Sequence, residues 1–442
     1  MLRSELGTVE LVRPATLLAG ELRVPGDKSI AHRALILAAL ADSESMLRGI
    51  PEGEDVRATI ACLRGLGVKL TPESRSPAAL WGGQGRGFRV SPAAFATPHG
   101  VLDCANSGTT MRLLLGVLAG SRISARLDGD ASLRRRPMTR VIDPLRRMGA
   151  RINLDDGRAP IDVTGTRLQG RHHALALASA QVKSAILLAG LSASGPTTVV
   201  EPLPTRDHSE RLLRAMGANL RSSGTTVELR PSHRLLEPLE LAVPGDFSAA
   251  AFWMAAAALR PDWSITVRGV GLNPTRTAFL RILERMGAEI QSDVSSSGIE
   301  PVGSVRIVGR PLRGIELAPH EVAEAIDEIP VVLVLATQAQ GVTIINGAGE
   351  LRVKESDRLR SMADGLRAMG ASVDERVDGI SVYGPSPLRG AAVKSNSDHR
   401  IAMALAIAGL VASGQTAIEG ADCVAVSYPD FFGQLHEIAD ER

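Results

Sequence analysis

The 442-residue sequence is poor in the residues that mark several classes of protein. Its three cysteines, Cys62, Cys104 and Cys423, are scattered and odd in number, which argues against a disulfide framework and against a zinc site. Aromatic residues make up 3% of the chain and the net charge is +2, so neither stacking platforms nor a positive field favours a nucleic acid or a membrane surface. We therefore expect a cytoplasmic protein with no metal and no nucleic-acid partner.

Long apolar runs and targeting segments are missing too. The longest uncharged run, residues 329–349, contains Pro330 and Gly341 and predicts a helix, a turn and a strand rather than a membrane span. Residues 1–13 interleave charged side chains and have no apolar core, unlike a signal peptide. With 44% apolar and 22% charged residues, the composition is that of a globular chain long enough for two domains.

The sequence is rich in internal repeats. A phrase close to Leu-Arg-x-Met-Gly-Ala occurs five times and predicts the end of an amphipathic helix followed by a strand. Its glycines are Gly67, Gly149, Gly217, Gly287 and Gly370, which are 82, 68, 70 and 83 residues apart.

A second repeated feature is an alanine- and leucine-rich helix with no charged outer face, which we expect to be buried on all sides. Six such helices are predicted, and each begins near a residue type that caps helices well. The six starts lie near Asp27, Asn106, Ser179, Asp246, Asp327 and Asp398. The chain is therefore expected to contain six units of roughly seventy to eighty residues.

The word Pro-Gly-Asp at residues 25–27 and again at 244–246 separates these units into two groups of three. We predict an inserted domain, 24–244, and a discontinuous domain, 1–23 with 245–442, joined by a hinge with two crossings. Residues 8–21 are expected to supply a strand to the last unit, because the helix around 432–438 leaves no room for one after it. If the buried helices of each domain run parallel, their N-termini share a face, and two such faces would form a cleft that collects anions.

Charged residues at the helix starts support this expectation. Residues 25–33 read PGDKSIAHR, which puts Lys28 and Arg33 in the first two turns of a helix. A cation there is unfavourable beside the positive end of the helix dipole unless an anion is bound. Six cations fall near the predicted starts: Lys28, Arg33, Arg136, Lys354, Arg358 and Arg400. Their ligand would need several negative charges; the alternative is a set of ordinary caps and exposed turns.

The fifth start differs because it carries carboxylates. Asp327 lies in the word Ile-Asp-Glu, and a carboxylate in a site dominated by Lys and Arg stays ionised and can serve as a base. The alternative is that Asp327 only caps the helix. At the fourth start, Asp246 is followed by no cation, so we interpret that start as structural.

Together these words resemble the 5-enolpyruvylshikimate-3-phosphate synthase family. They are PGDKSxxHR, NSGT, SLxxRPM, SAQVK, IDE, KESDR and SDHRIAM, in the family's order, from residue 25 to about 432. The resemblance implies an α/β fold of two inverse domains, each with three βαβαββ units around a pseudo-threefold axis. It also implies the sixth step of the shikimate pathway, in which the carboxyvinyl group of phosphoenolpyruvate moves to the 5-hydroxyl of shikimate 3-phosphate and phosphate is released. No metal or organic cofactor is implied.

The resemblance also assigns roles to residues. Those implied to contact shikimate 3-phosphate are Lys28, Ser29, Arg33, Ser179, Ala180, Gln181, Arg206, Asp327 and Lys354. Those implied to contact phosphoenolpyruvate are Lys28, Asn106, Gly108, Arg136, Gln181, Arg358 and Arg400. Asp327 is implied to be the base for the 5-hydroxyl, and Glu355 and Lys28 the groups that exchange protons with the methylene carbon and the leaving phosphate.

Two positions depart from the family pattern. Ala105 stands where the family usually has glycine, and Val426 replaces a lysine of one branch. The alternatives are UDP-N-acetylglucosamine enolpyruvyl transferase, which usually has Lys-Asn where this chain has Lys28-Ser29, and a non-catalytic repeat protein that binds anions. We expect a monomer that acts on small molecules.

Overall fold

The computed structural model describes residues 3–4, 7–73, 82–232 and 236–441. The outermost residues of the predicted discontinuous domain, 1 and 442, lie outside this description. The strands are β1 Arg3–Ser4, β2 Gly7–Val12, β3 Ala15–Leu22, β4 Ser45–Ile50, β5 Lys69–Pro72, β6 Arg86–Ser91, β7 Leu102–Asp103, β8 Ser124–Asp128, β9 Arg151–Asp155, β10 Arg158–Thr164, β11 His172–Ala174, β12 Thr197–Val200, β13 Asn219–Ser223, β14 Thr226–Arg230, β15 Glu240–Ala242, β16 Ser264–Gly271, β17 Glu289–Ser296, β18 Val302–Val308, β19 Glu316–Leu317, β20 Gly341–Asn346, β21 Ser372–Arg376, β22 Gly379–Gly384, β23 Ala392–Lys394, β24 Thr416–Glu419 and β25 Ala439–Glu441.

The helices confirm the α/β class. They are α1 Lys28–Ala38, α2 Glu54–Gly65, α3 Gly108–Ala119, α4 Ala131–Arg135, α5 Thr139–Arg147, α6 Ala180–Gly190, α7 His208–Ala215, α8 Phe247–Ala258, α9 Ala278–Met286, α10 Pro319–Glu324, α11 Ile329–Gln338, α12 Arg358–Ala368, α13 His399–Gly409 and α14 Phe431–Ile438. Short 3₁₀ helices span Gly349–Val353 and Ala421–Val426.

The chain forms two compact units, which we call the terminal unit and the inserted unit. The terminal unit contains Met1–Pro25, Gly245–Ser297 and Pro301–Arg442, and the inserted unit contains Gly26–Pro244 with Gly298–Glu300. Each unit has its own hydrophobic core.

Within the residues that the structure describes, each unit contains three sheets with one connectivity in common. In every sheet a parallel pair of strands is followed by two antiparallel neighbours. The sheets are β15-β4-β6-β5, β7-β8-β10-β9 and β11-β12-β14-β13 in the inserted unit, and β23-β24-β2-β1, β25-β3-β16-β18-β17 and β19-β20-β22-β21 in the terminal unit. This repetition is the structural counterpart of the six repeats in the sequence.

The leading segment contributes to two sheets of the terminal unit. Strand β2 pairs antiparallel with β24 of the last repeat, with Val9 opposite Glu419. Strand β3 instead runs parallel to β16. A short strand, β25, directly follows α14 and pairs antiparallel with β3. That strand does not join the sheet of the last repeat, whose antiparallel partners come from the N-terminal segment.

The six apolar helices predicted from the sequence are α1, α3, α6, α8, α11 and α13. Every residue of α8 is buried, as expected for a helix with no polar face. Glycine allows two of these helices to approach closely: a Cβ on Gly116 of α3 would lie 2.3 Å from the carbonyl oxygen of Ala185 in α6. The five glycines of the repeated phrase all have positive φ, between 79° and 109°, which explains why glycine recurs there.

A buried histidine makes the inserted unit sensitive to acid. His173 in β11 is 1% exposed, and neither ring nitrogen has a hydrogen-bond partner in the described part of the chain. Burial, assisted by Arg147, lowers the pKa of His173 to about 4. The unfolded chain therefore takes up a proton near pH 6.5 while the folded chain does not, so stability is present above this pH and is lost as the pH falls toward 4.

We expect His173 to lower the free energy of unfolding by about 2 kcal/mol at pH 5 relative to pH 7. In a His173→Phe variant the difference between urea unfolding curves at these two pH values should shrink. Part of the difference should persist, because burial also lowers the pKa of His32. A matched control is His172→Gln at the exposed neighbouring position. An unchanged pH dependence in His173→Phe would contradict this explanation.

Candidate active site

The first helix start holds Lys28 beside a carboxylate. The side chain of Asp27 caps α1 by accepting a hydrogen bond from the backbone N–H of Ile30, at 2.9 Å. The Nζ of Lys28 lies 2.8 Å from Oδ2 of Asp55, the second residue of α2. Asp55 offsets the unfavourable meeting of the lysine with the positive helix end. No local feature of the sequence ties Asp55 to Lys28, so this pairing is visible only in the structure.

Arg33 is buried and connects three helices. Its Nε donates to Oγ of Ser209 in α7, its Nη1 to the carbonyl oxygen of Ser29 in α1, and its Nη2 to Oγ of Ser184 in α6. The distances are 2.8, 2.9 and 2.9 Å. Burial lowers the pKa of Arg33 to about 10, and the nearby cation Arg206 contributes to this change. Three predicted site residues, Ser29, Arg33 and Arg206, therefore belong to one region of the inserted unit.

The second helix start is capped by Ser107, whose Oγ accepts from the backbone N–H of Thr110, rather than by Asn106. The Oδ1 of Asn106 instead accepts a hydrogen bond from Nη2 of the buried Arg136. Gly108 faces this guanidinium: a Cβ there would lie 3.3 Å from Nη1 of Arg136 and 2.6 Å from Nη1 of Arg112. Glycine thus leaves room between two cations, where a small anion could bind.

The third helix start is joined to the second by Gln181. Its Oε1 accepts from Nη1 of Arg112 at 2.7 Å, and its Nε2 donates to Oγ1 of Thr109 at 2.8 Å. Ser179 caps α6 by accepting from the backbone N–H of Val182, and Ala180 is the first residue of the helix. Arg112 is a further cation of this region, and its position inside an apolar helix gives no sign of this role in the sequence.

In the terminal unit, Asp327 lies between two arginines. Its Oδ1 is 3.4 Å from Nη1 of Arg358 and 3.6 Å from Nε of Arg400, and its carbonyl oxygen accepts from Nη1 of Arg400 at 3.1 Å. The possibility that Asp327 caps the helix is wrong: Glu328 occupies the N-cap position of α11, and its side chain makes no capping bond. Asp327 is therefore held by cations rather than used as a cap.

Arg358 is the most heavily paired cation of this group. Its side chain is 2% exposed, Nε lies 2.8 Å from Oδ2 of Asp398, and Nη2 lies 2.7 Å from Oε2 of Glu355. Burial works against its charge, but the surrounding carboxylates raise the pKa of Arg358 above the ordinary arginine value. Burial lowers the pKa of the neighbouring Lys354, and Asp327 opposes this change. All predicted residues of the terminal unit thus fall in one cluster.

The fourth helix start has no predicted substrate residue, and charged side chains of the protein itself interact there. Asp246 caps α8 through the backbone N–H of Ser248, at 2.8 Å. The buried Arg276 donates to Oγ of Ser248 at 2.9 Å, and its Nη1 lies 3.9 Å from Oε1 of the buried Glu328. The interpretation of this start as structural agrees with these internal contacts.

Ala105 carries backbone strain beside the second helix start. Its φ is +48°, a left-handed conformation that costs a residue with a Cβ about 1–2 kcal/mol. The conformation is held by its N–H, which donates to Oδ1 of Asp103, and by its carbonyl, which accepts from the N–H of Asp130.

We expect Ala105→Gly to raise the free energy of unfolding by about 0.5 kcal/mol, because relief of strain exceeds the entropy that glycine adds to the unfolded chain. Urea unfolding would measure the change. The matched control is Ala131→Gly at the start of α4, where φ is ordinary and glycine should destabilise. Equal destabilisation by both substitutions would show that no strain is stored at Ala105.

The described residues contain neither a group of metal ligands nor a membrane-spanning helix. Among residues 3–4, 7–73, 82–232 and 236–441, no three His, Cys, Asp or Glu side chains are grouped so that they could hold a metal ion. None of the helices in those ranges has the length and apolar character needed to cross a membrane.

Comparison with known proteins gives first the fold and then the family. The crystal structure of the enolpyruvyl transferase NikO from Streptomyces tendae superposes with a TM-score of 0.79 over 99% of each chain, at 21% identity, so the fold is that of an enolpyruvyl transferase. A sequence model of EPSP synthase (3-phosphoshikimate 1-carboxyvinyltransferase) matches residues 12–435. This chain belongs to the EPSP synthase family.

Closer relatives agree with this assignment. A protein of Acidithiobacillus ferrooxidans named 3-phosphoshikimate 1-carboxyvinyltransferase is 50% identical over 95% of both chains. One of the same name from Gloeobacter violaceus is 48% identical over 99% of this chain and all of its own. The solved EPSP synthase of Acinetobacter baumannii has a TM-score of 0.85 at 38% identity and covers 98% of this chain and 99% of its own. The family predicted from the sequence is confirmed.

Proposed function

We propose that this enzyme transfers the carboxyvinyl group of phosphoenolpyruvate to the 5-hydroxyl of shikimate 3-phosphate and releases phosphate. The observation that carries the proposal is the grouping of the motif residues at the starts of buried helices within each unit. Such starts offer unpaired N–H groups and a partial positive charge, and here they also carry Lys and Arg side chains. They suit two substrates that together carry two phosphates and two carboxylates.

Shikimate 3-phosphate is assigned to two groups of residues. In the inserted unit these are Lys28, Ser29, Arg33, Ser179, Ala180, Gln181 and Arg206; in the terminal unit they are Asp327 and Lys354. The arrangement around Arg33 and Gln181 supports the first group, because hydrogen bonds fix the starts of α1 and α6. Guanidinium and ammonium groups are the donors that best recognise phosphate and carboxylate.

Phosphoenolpyruvate is assigned to Lys28, Asn106, Gly108, Arg136 and Gln181 of the inserted unit and to Arg358 and Arg400 of the terminal unit. The absence of a side chain at Gly108 supports this assignment, since a methyl group there would collide with the guanidinium of Arg112 and lie in tight contact with that of Arg136. The pairing of Arg136 with Asn106 further fixes the direction of one of these cations.

The reaction needs a base, a proton donor to carbon and a proton donor to phosphate. We assign the base to Asp327, which the two neighbouring guanidiniums keep ionised. It takes the proton of the 5-hydroxyl as that oxygen bonds to C2 of phosphoenolpyruvate, while Glu355 supplies a proton to the methylene carbon. Phosphate then leaves with a proton from Lys28, and Glu355 recovers the proton from the methyl group, which restores the double bond. Cations stabilise the charge that develops in both steps.

A phosphate-release assay tests the proposal directly. Phosphate should appear only when phosphoenolpyruvate and shikimate 3-phosphate are both present, and an enolpyruvyl ether should form in equal amount. Phosphate release with UDP-N-acetylglucosamine in place of shikimate 3-phosphate would favour the related transferase. Binding of phosphate without turnover would favour a non-catalytic anion-binding protein. We further propose that the enzyme is a cytoplasmic monomer, which sedimentation at several protein concentrations would check.

A further inference from the structure

Three buried charged side chains that the proposed reaction does not use lie in the inserted unit, two of them in helices α6 and α7. Lys183 in α6 is 2% exposed, and its Nζ lies 2.7 Å from Oε2 of Glu201 and 2.7 Å from Oε1 of Glu210. The two carboxylates are also buried. We call these three residues the Lys183 cluster.

The Lys183 cluster has a surplus of negative charge. Two ionised carboxylates and one ammonium sum to one negative charge, and Oε2 of Glu210 has no hydrogen-bond donor in the part of the chain that the structure describes. Burial raises the pKa of Glu210, and Lys183 opposes that rise. A net charge in the interior is unfavourable unless an opposite charge lies nearby.

Arg33 supplies the opposite charge. Lys183 is followed in α6 by Ser184, and Glu210 is preceded in α7 by Ser209; both serine hydroxyls accept hydrogen bonds from Arg33. The guanidinium itself bonds only to uncharged oxygens among the described residues. Of the nearby carboxylates, Glu210 contributes most to keeping Arg33 charged. With both carboxylates ionised, the charges of the cluster and Arg33 sum to zero.

We propose that Glu210 is the internal counter-charge of Arg33 and so limits how strongly the first helix start attracts an anion. The effect on substrate rests on the proposed function, in which Arg33 contacts shikimate 3-phosphate. An incoming ligand with several negative charges is attracted by Arg33 and repelled by the carboxylate behind it. Glu210 is thus a positioning residue that sets affinity without touching the ligand.

Glu210→Gln tests the effect on substrate, because glutamine keeps the shape and an acceptor for Lys183 but removes the charge. By calorimetry we expect shikimate 3-phosphate to bind about three- to tenfold more tightly, with a smaller gain for shikimate, which lacks the phosphate charges. Glu210→Asp keeps the charge and should preserve the wild-type ratio of the two affinities. The matched control is Glu228→Gln, a partly exposed carboxylate of the same unit paired with Arg230. Equal weakening for both ligands in Glu210→Gln would show a packing role and overturn the proposal.

A double-mutant cycle without ligand tests the counter-charge itself. Arg33→Met should shift the urea midpoint less in the Glu210→Gln background than in the wild type, because the charge that Arg33 compensates has been removed. Additive shifts would overturn the proposal. If shikimate 3-phosphate does not bind the wild type, the proposed function fails, but the cycle still decides whether Glu210 and Arg33 are coupled.

Discussion

An Asp327→Asn variant should release phosphate about 10²- to 10⁴-fold more slowly than the wild type, because its amide cannot accept the proton of the 5-hydroxyl. The loss should appear in kcat. Binding of shikimate 3-phosphate, measured by calorimetry, should persist, since the anion-binding side chains of the inserted unit are unchanged. Binding of phosphoenolpyruvate should persist or tighten, because Arg358 and Arg400 lose a competing carboxylate.

The control for this substitution is Asp364→Asn in α12. Asp364 has a side chain that is 60% exposed and pairs with Arg367 at 3.6 Å, so the same chemical change removes an ion pair outside the cluster. This control should keep the wild-type rate. If Asp327→Asn also kept it, the assignment of the base would be wrong; if it lost binding of both substrates, Asp327 would be needed for the fold of the site rather than for proton transfer.

Arg358→Met should be strongly destabilising, in contrast to most substitutions of charged residues. It would leave Asp398, whose side chain is fully buried, without its cation, and removal of one partner from a buried pair costs about 3–5 kcal/mol. Urea unfolding of the purified variant should show this loss for the terminal unit.

Arg358→Lys separates binding from folding. Lysine keeps the charge but lacks the planar fork of donors with which Arg358 reaches Asp398 and Glu355, so we expect partial recovery of stability together with a KM for phosphoenolpyruvate raised roughly 10- to 100-fold. The control is Arg360→Met on the same helix, where the side chain is 63% exposed and pairs with Glu375. An unchanged KM in a folded Arg358→Lys variant would remove Arg358 from the phosphoenolpyruvate site.

Local signals account for the helix starts that the sequence predicted correctly. Asp27, Ser179, Asp246 and Asp398 each combine a capping side chain with an apolar run directly after it, and each is the observed N-cap. The fifth start was displaced by one residue, because the preceding short helix α10 places Asp327 in the turn between two helices. Caps are short-range features, so the sequence alone could locate them.

Partners that are distant in the chain could not be found in this way. Asp55 is 27 residues from Lys28, and Arg112 is 69 residues from Gln181. Each of these side chains lies in a helix whose pattern predicts only packing or a charged face. These pairs form because whole repeats pack against each other. Many apolar residues determine that packing, and no short motif predicts it.

The pairing of β2 with β24 of the last repeat has a consequence for synthesis on the ribosome. Strand β2 ends at Val12, yet its partner β24 begins at Thr416, so the two strands must meet across the long segment between them. Contacts so far apart in sequence form slowly, because the intervening loop has to be closed. The nascent polypeptide must therefore keep β2 without its β24 partner until residues 416–419 have been made, whereas the sheets described between Gly26 and Pro244 can assemble before that point.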